Sequence, residues 1–171
     1  MEKYRLLFLD FDGVLHDVDA PQIEYEGRGL TITGAGLFRH APRLAALLAA
    51  YPDVRVVISS SWSMHFSVDE LKARLGTLGA LVIGTTQDLA HESRYAACEE
   101  MSLQLDAIDW RMLDDQVSIV FGNEEPPPWA LQRVLFCDPV LALSTPGVWD
   151  RLTNWLADGL TLKDREDGAF R

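Results

Sequence analysis

Residues 6–16 read LLFLDFDGVLH: four apolar residues run into two carboxylates one residue apart, Asp10 and Asp12, and Gly13 follows at once. An unbroken apolar run of this length fits a strand buried on both faces, as in a parallel sheet covered by helices. Working outward, YRLLFL (4–9), VRVVI (54–58), ALVI (80–83), WRML (110–113) and RVLF (133–136) read as strands. Helix-period segments lie between them. PRLAALLAAY (42–51) has Pro42 in its first turn, where the missing N–H costs nothing. SVDELKARLG (67–76) carries a capping box, Ser67 with Glu70, and ends at Gly76. HESRYAACEEMSLQL (91–105) predicts a third helix. TPGVWDRLTNWLADG (145–159) predicts a fourth, with Val148, Leu152, Trp155 and Leu156 on one stripe and Gly159 closing it. Strands alternating with helices predict an α/β fold with a doubly wound parallel sheet.

Between the first strand and its helix, residues 17–36 are rich in glycine and alternate as IEYEGRGLTI, which predicts a small β-hairpin flap. NEEPPP (123–128) and the polar tail at about 160–171 read as solvated loops. With 171 residues, 48% of them hydrophobic, the chain can bury roughly 70% of the surface its unfolded form exposes. One domain over 1–171 is expected. A net charge of −11 argues against an extended nucleic-acid surface or an anionic-membrane surface, which clustered Lys and Arg would attract, and leaves room for a local basic pocket. Cys98 and Cys137 lack metal or redox spacing and read as buried free thiols. No apolar stretch is long enough for a signal-peptide core or a membrane span, so a cytoplasmic protein is expected.

The strand ends carry the chemistry. In an open parallel sheet, ligands collect beyond the carboxyl ends of the strands. Side chains two apart point the same way, so Asp10 and Asp12 share that crevice. Two carboxylates so close repel unless a cation lies between them, and a hard divalent ion such as Mg²⁺ removes the conflict. Gly13 lets the backbone turn sharply. An EF-hand starting at Asp10 fails, because Leu15 and Pro21 stand where Gly and Glu are required. VVISSSW (56–62) ends its strand with three hydroxyls able to donate to phosphate oxygens. WRMLDDQ (110–116) ends another with a second acidic pair, Asp114 and Asp115, and Arg94 opens the helix preceding that strand. His16, His40, His65 and His91 show no ligand spacing and read as surface or packing residues, with His16 and His65, just after motif-bearing strands, as candidates to line the substrate entrance.

Acid pair, hydroxyl, cation, acid pair: in that order the chain resembles the haloacid dehalogenase-like (HAD) superfamily. Its small capless members, including the HAD domains of RNA-repair proteins with their SSW and LDD signatures, are the most similar. The resemblance covers about residues 4 to 157 and implies a Rossmann-like core. It implies Asp10 as the nucleophile that takes the phosphoryl group, and Asp12 as the acid/base, with its backbone carbonyl on Mg²⁺. Ser60 would hold the phosphoryl oxygens; a one-residue slip of the strand end would substitute Ser59 or Ser61. Arg94 fills the basic position, where Lys is commoner, with Lys72 and Arg74 as weaker candidates. Asp114 or Asp115 would complete the metal site. Trp62 either stacks on a substrate ring or plugs the gap between helix and flap, and Ser63 stands where an Arg commonly follows that Trp.

The expected activity is therefore a Mg²⁺-dependent phosphomonoester hydrolase. About twenty residues after the first strand leave no room for a large cap domain, and a capless site resembles those superfamily members that accept bulky substrates, including nucleic-acid ends, nucleotides or phosphoproteins. The alternative is a binding or regulatory module that keeps the fold without turnover.

Overall fold

The computed structural model describes residues 4–168 except 28, 88, 90–92 and 124, and of the side chains only those before 160. His91, the start of the expected third helix at 91–92 and the last residues of the tail, 169–171, lie outside the described residues.

The apolar run that opens the chain forms β1 (Arg5–Leu9), every residue of which is buried. The insertion after it is the antiparallel hairpin β2 (Gln22–Glu26) and β3 (Gly29–Thr33), paired from Gln22 with Thr33 to Glu26 with Gly29. There follow α1 (Ala41–Leu48), β4 (Val54–Ile58), α2 (Val68–Leu75), β5 (Val82–Thr85), α3 (Arg94–Gln104) and β6 (Asp109–Asp114). The chain ends with α4 (Val117–Phe121), α5 (Pro128–Arg133), β7 (Val134–Phe136) and α6 (Val148–Gly168). Five strands make one parallel sheet in the order β5-β4-β1-β6-β7. The chain builds outward from β1 on one side and then crosses to build on the other, so the crevice of this sheet opens beyond the end of β1.

The period of two along β1 divides the core. Leu7 and Leu9 face the layer of α1, α2 and α6, with Leu44, Leu71, Leu152 and Trp155. Leu6 and Phe8 face the layer of α3, α4 and α5, with Tyr95, Cys98, Val120 and Ala130. Helices thus cover both faces, the doubly wound architecture that the sequence pattern predicts. The capping box forms: the Ser67 hydroxyl accepts from the Glu70 N–H, and Glu70 accepts from the Ser67 N–H at 2.8 Å. Cys98 and Cys137 are buried free thiols. No helix among the described residues is long and apolar enough to cross a membrane.

Three boundaries differ from the sequence reading. Residues 80–81 belong to a 3-10 turn over Gly76–Leu81, and the edge strand begins at Val82. Residues 117–121 and 128–133 are short helices; five or six residues span too few turns to show a period of 3.6. Gly159 does not close the last helix, which runs on to Gly168. The reason is a buried cation in β1. Arg5, 1% exposed, is paired with Asp53, and its Nη1 donates to the carbonyls of Trp155 and Leu156, both at 2.9 Å. A Cβ at 159 would overlap that guanidinium, so glycine makes room for Arg5 within the helix.

Candidate active site

Asp10 leaves the end of β1 with its backbone N–H bonded to the Leu113 carbonyl of the neighbouring strand, which fixes where its side chain emerges. One carboxylate oxygen accepts from the Phe11 N–H at 2.8 Å, and the other accepts from Arg94 Nη1 at 2.8 Å. The same Nη1 donates to Asp114 Oδ2 at 2.5 Å, and Asp114, fully buried, ends the adjacent β6. Arg94 reaches this point because it is the first residue of α3, whose N-cap Ser93 accepts from the Ala96 N–H at 3.2 Å. Carboxylate oxygens of Asp10, Asp114 and Asp115 all lie within 4.8 Å of one another.

The electrostatics of this cluster are unbalanced: three carboxyls surround one guanidinium. Burial pushes the Asp10 carboxyl up, to about 7, and the charge of Asp114 acts in the same direction against Arg94, the Phe11 N–H and the Ser60 hydroxyl. Burial likewise raises Asp114, and burial together with the Asp114 charge raises Asp115. For Arg94, burial opposes the charge, but the two carboxylates outweigh it and hold the guanidinium protonated more firmly than usual.

Two further observations fit a hard cation here. Asp115 Oδ2 is buried with no hydrogen-bond partner, an expensive state for a carboxylate oxygen that a metal would relieve. Gly13, at φ +68°, is where a Cβ would overlap the Asp115 carboxylate, so the turn after β1 is shaped to let that side chain approach. Asp10, Asp114 and Asp115 offer the oxygen donors that Mg²⁺ prefers. Asp12 turns its carboxylate elsewhere: Oδ2 accepts from Trp62 Nε1 and Oδ1 bonds His16 Nε2, both at 2.9 Å.

Beside Arg94 lies a cavity of about 330 Å³, lined by the serines that end β4 together with Thr86, Met64 and Ile119. The three serines diverge. Ser60 turns its hydroxyl to Asp10, whereas Ser59 Oγ lies 3.5 Å from both Cys98 Sγ and Thr86 Oγ1, and Ser61 is exposed at the start of a 3-10 turn. Trp62 is 3% exposed and packs against Phe11, Phe38 and Phe66. Arg74 stacks over Phe66, 4.5 Å from its ring centre. His16 is wholly buried, as a packing residue would be, but sequence reasoning missed its bond to Asp12, for which the spacing of four residues was the available signal.

A family model described as the HAD domain in Swiss Army Knife RNA repair proteins matches residues 6–148. No curated protein and no solved structure matches the chain.

Proposed function

We propose that this chain, which belongs to the family of HAD domains in Swiss Army Knife RNA repair proteins, is a phosphomonoester hydrolase that works through Asp10. The observation that carries the reading is the meeting of Asp10, Asp114, Asp115 and Arg94 at the one sheet edge where α/β folds bind ligands. Asp10 is the nucleophile. One of its carboxylate oxygens attacks phosphorus, and the ester P–O bond breaks with its electron pair moving to the leaving oxygen, which takes a proton from Asp12. Water then attacks the aspartyl phosphate, gives its proton to Asp12, and inorganic phosphate leaves with Asp10 regenerated.

Phosphoryl transfer through a loose transition state is catalysed mainly by positioning and charge. Arg94 already touches the nucleophile, so a phosphoryl group arriving at Asp10 meets the guanidinium. Ser60 supplies a hydroxyl donor on the same side, and Gly13 keeps the turn close. Mg²⁺, held by Asp10, Asp114 and Asp115 with the backbone carbonyl of Asp12, would supply the charge that lets an anionic phosphate approach an anionic nucleophile. Within this reading the substrate is a terminal phosphate on a nucleotide or a nucleic-acid end. The open cavity and the RNA-repair context of the family support this, while the net charge of −11 argues against long polynucleotide tracks. Buried free thiols are consistent with work in a reducing cytoplasm.

The test is hydrolysis of p-nitrophenyl phosphate by wild type, Asp10→Asn and Asp12→Asn, with Mg²⁺ and with EDTA. Turnover that needs the metal and is lost in both variants is expected. Wild type inert towards a broad panel of phosphomonoesters would overturn the reading in favour of a non-catalytic module.

A further inference from the structure

We propose that His16 and Trp62 are positioning residues that clamp the carboxylate of Asp12, and that the backbone N–H of Phe38 sets the clamp by fixing the tautomer of His16. The inference rests on the reading of Asp12 as the acid/base and deepens it.

Asp12 follows the nucleophile on a turn rather than within a strand, so its two side-chain torsions would be free without partners. Two N–H groups from separate parts of the chain converge on it. The Trp62 indole, on the 3-10 turn after β4, donates to Oδ2 at 2.9 Å, and His16 Nε2 lies 2.9 Å from Oδ1. The tautomer follows from the other ring nitrogen. Phe38 N–H donates to His16 Nδ1 at 3.2 Å, so Nδ1 is an acceptor and the ring proton sits on Nε2, facing Asp12. His16 is wholly buried. A merely satisfied core histidine needs no second donor on the same carboxylate, and a plug tryptophan does not require its N–H to reach an active-site acid.

The geometry that sets the tautomer is itself unusual. Phe38 has φ +56°, a conformation that residues with a Cβ rarely adopt. Its ring packs edge-on against Phe11, His16 and Trp62, at centroid distances of 5.3, 5.1 and 5.2 Å. The loop after the hairpin is thus pinned with its N–H on the histidine, inside an apolar surround where hydrogen bonds are strong. Each carboxylate oxygen accepts one N–H and keeps a second lone pair. A proton carried there passes to the leaving oxygen as the P–O bond breaks, from a position that does not wander.

Protonating the leaving oxygen matters most when that oxygen is a poor leaving group, which separates positioning from folding. The variants are Trp62→Phe, which keeps a ring and removes the N–H, His16→Leu, and His16→Gln, which retains both a donor and an acceptor. Their kcat and KM are measured on p-nitrophenyl phosphate and on an alkyl phosphomonoester, with Asp12→Asn as the limit and thermal melts in parallel. We expect Trp62→Phe and His16→Leu to lose roughly ten- to a hundredfold more kcat on the alkyl ester than on the p-nitrophenyl ester, with KM almost unmoved. His16→Gln is expected to recover most of that loss. Equal losses on both esters that follow the melting temperature would overturn the proposal. ¹⁵N NMR provides a reading that needs no turnover: the Trp62 indole and His16 ring signals are expected to move in Asp12→Asn, and signals that stay put refute the clamp. Wild type without turnover overturns the proposed function and the catalytic role of the clamp with it; unmoved signals in an active enzyme overturn the clamp alone.

Discussion

Replacing Gly13 with alanine tests the geometry on which the proposed metal site depends. The residue has φ +68°, where an L side chain costs about 1–2 kcal/mol, partly offset by about 0.4–1 kcal/mol from a stiffer unfolded chain. The new Cβ would also overlap the Asp115 carboxylate, and forced repacking of that kind costs a further ~1–3 kcal/mol. A total near 3 kcal/mol corresponds to a fall in Tm of roughly 6–12 °C for a chain of this size. Gly27→Ala is the control: it has φ +62° with no atom within 4 Å of the added Cβ, so it carries the backbone cost alone. Urea unfolding separates the two costs, and calorimetric titration with Mg²⁺ reads the site. Because Asp115 must swing away in Gly13→Ala, Mg²⁺ affinity is expected to fall at least ~10-fold, while Gly27→Ala binds as wild type does. Equal stability losses in the two variants, with unchanged Mg²⁺ binding in Gly13→Ala, would refute the claim that Gly13 exists to admit Asp115.

Two further outcomes follow from buried charge. The Asp10 carboxyl is raised from 3.8 to about 7 in the folded protein, so between those values the native state binds more protons than the unfolded state and stability falls as pH rises. Mg²⁺ competes with those protons, so the rise in Tm on adding Mg²⁺ is expected to be larger at pH 8 than at pH 5; an equal rise at both would show that Asp10 is not a ligand. Gly159→Ala improves helix propensity by about 1 kcal/mol but drives a methyl into the Arg5 guanidinium. Net destabilisation by thermal melt is expected, and a stabilised variant would mean that Arg5 is not held against α6.

How much of this was legible in the sequence depended on whether the signal was local. The β1, β4 and β6 strands each carry a short apolar stretch (Leu6–Leu9, Val56–Ile58 and Met112–Leu113), and α2 announces itself by Ser67 and Glu70, so each element carries its own mark. Gly159 was misread because a glycine closing a helix and a glycine admitting a side chain look alike in sequence. What distinguishes them is Arg5, more than 150 residues earlier, and nothing near either position points to the other.

The site divides in the same way. Asp10, Asp114, Asp115 and Arg94 could be gathered from sequence because strand ends in a parallel sheet must share one edge. The role of Asp12 could not be finished by that rule, since its partners were chosen by side-chain direction: an indole N–H from beyond β4, and a histidine whose proton is placed by a backbone N–H after the hairpin. The two aspartates of one short motif therefore live in different surroundings. Asp10 belongs to a group of three carboxyls around one guanidinium. Asp12 stands outside that group, held by neutral donors. In the proposed mechanism the nucleophile and the proton carrier are thus carboxylates with different partners, Asp10 with Arg94 and Asp12 with the Trp62 and His16 N–H groups.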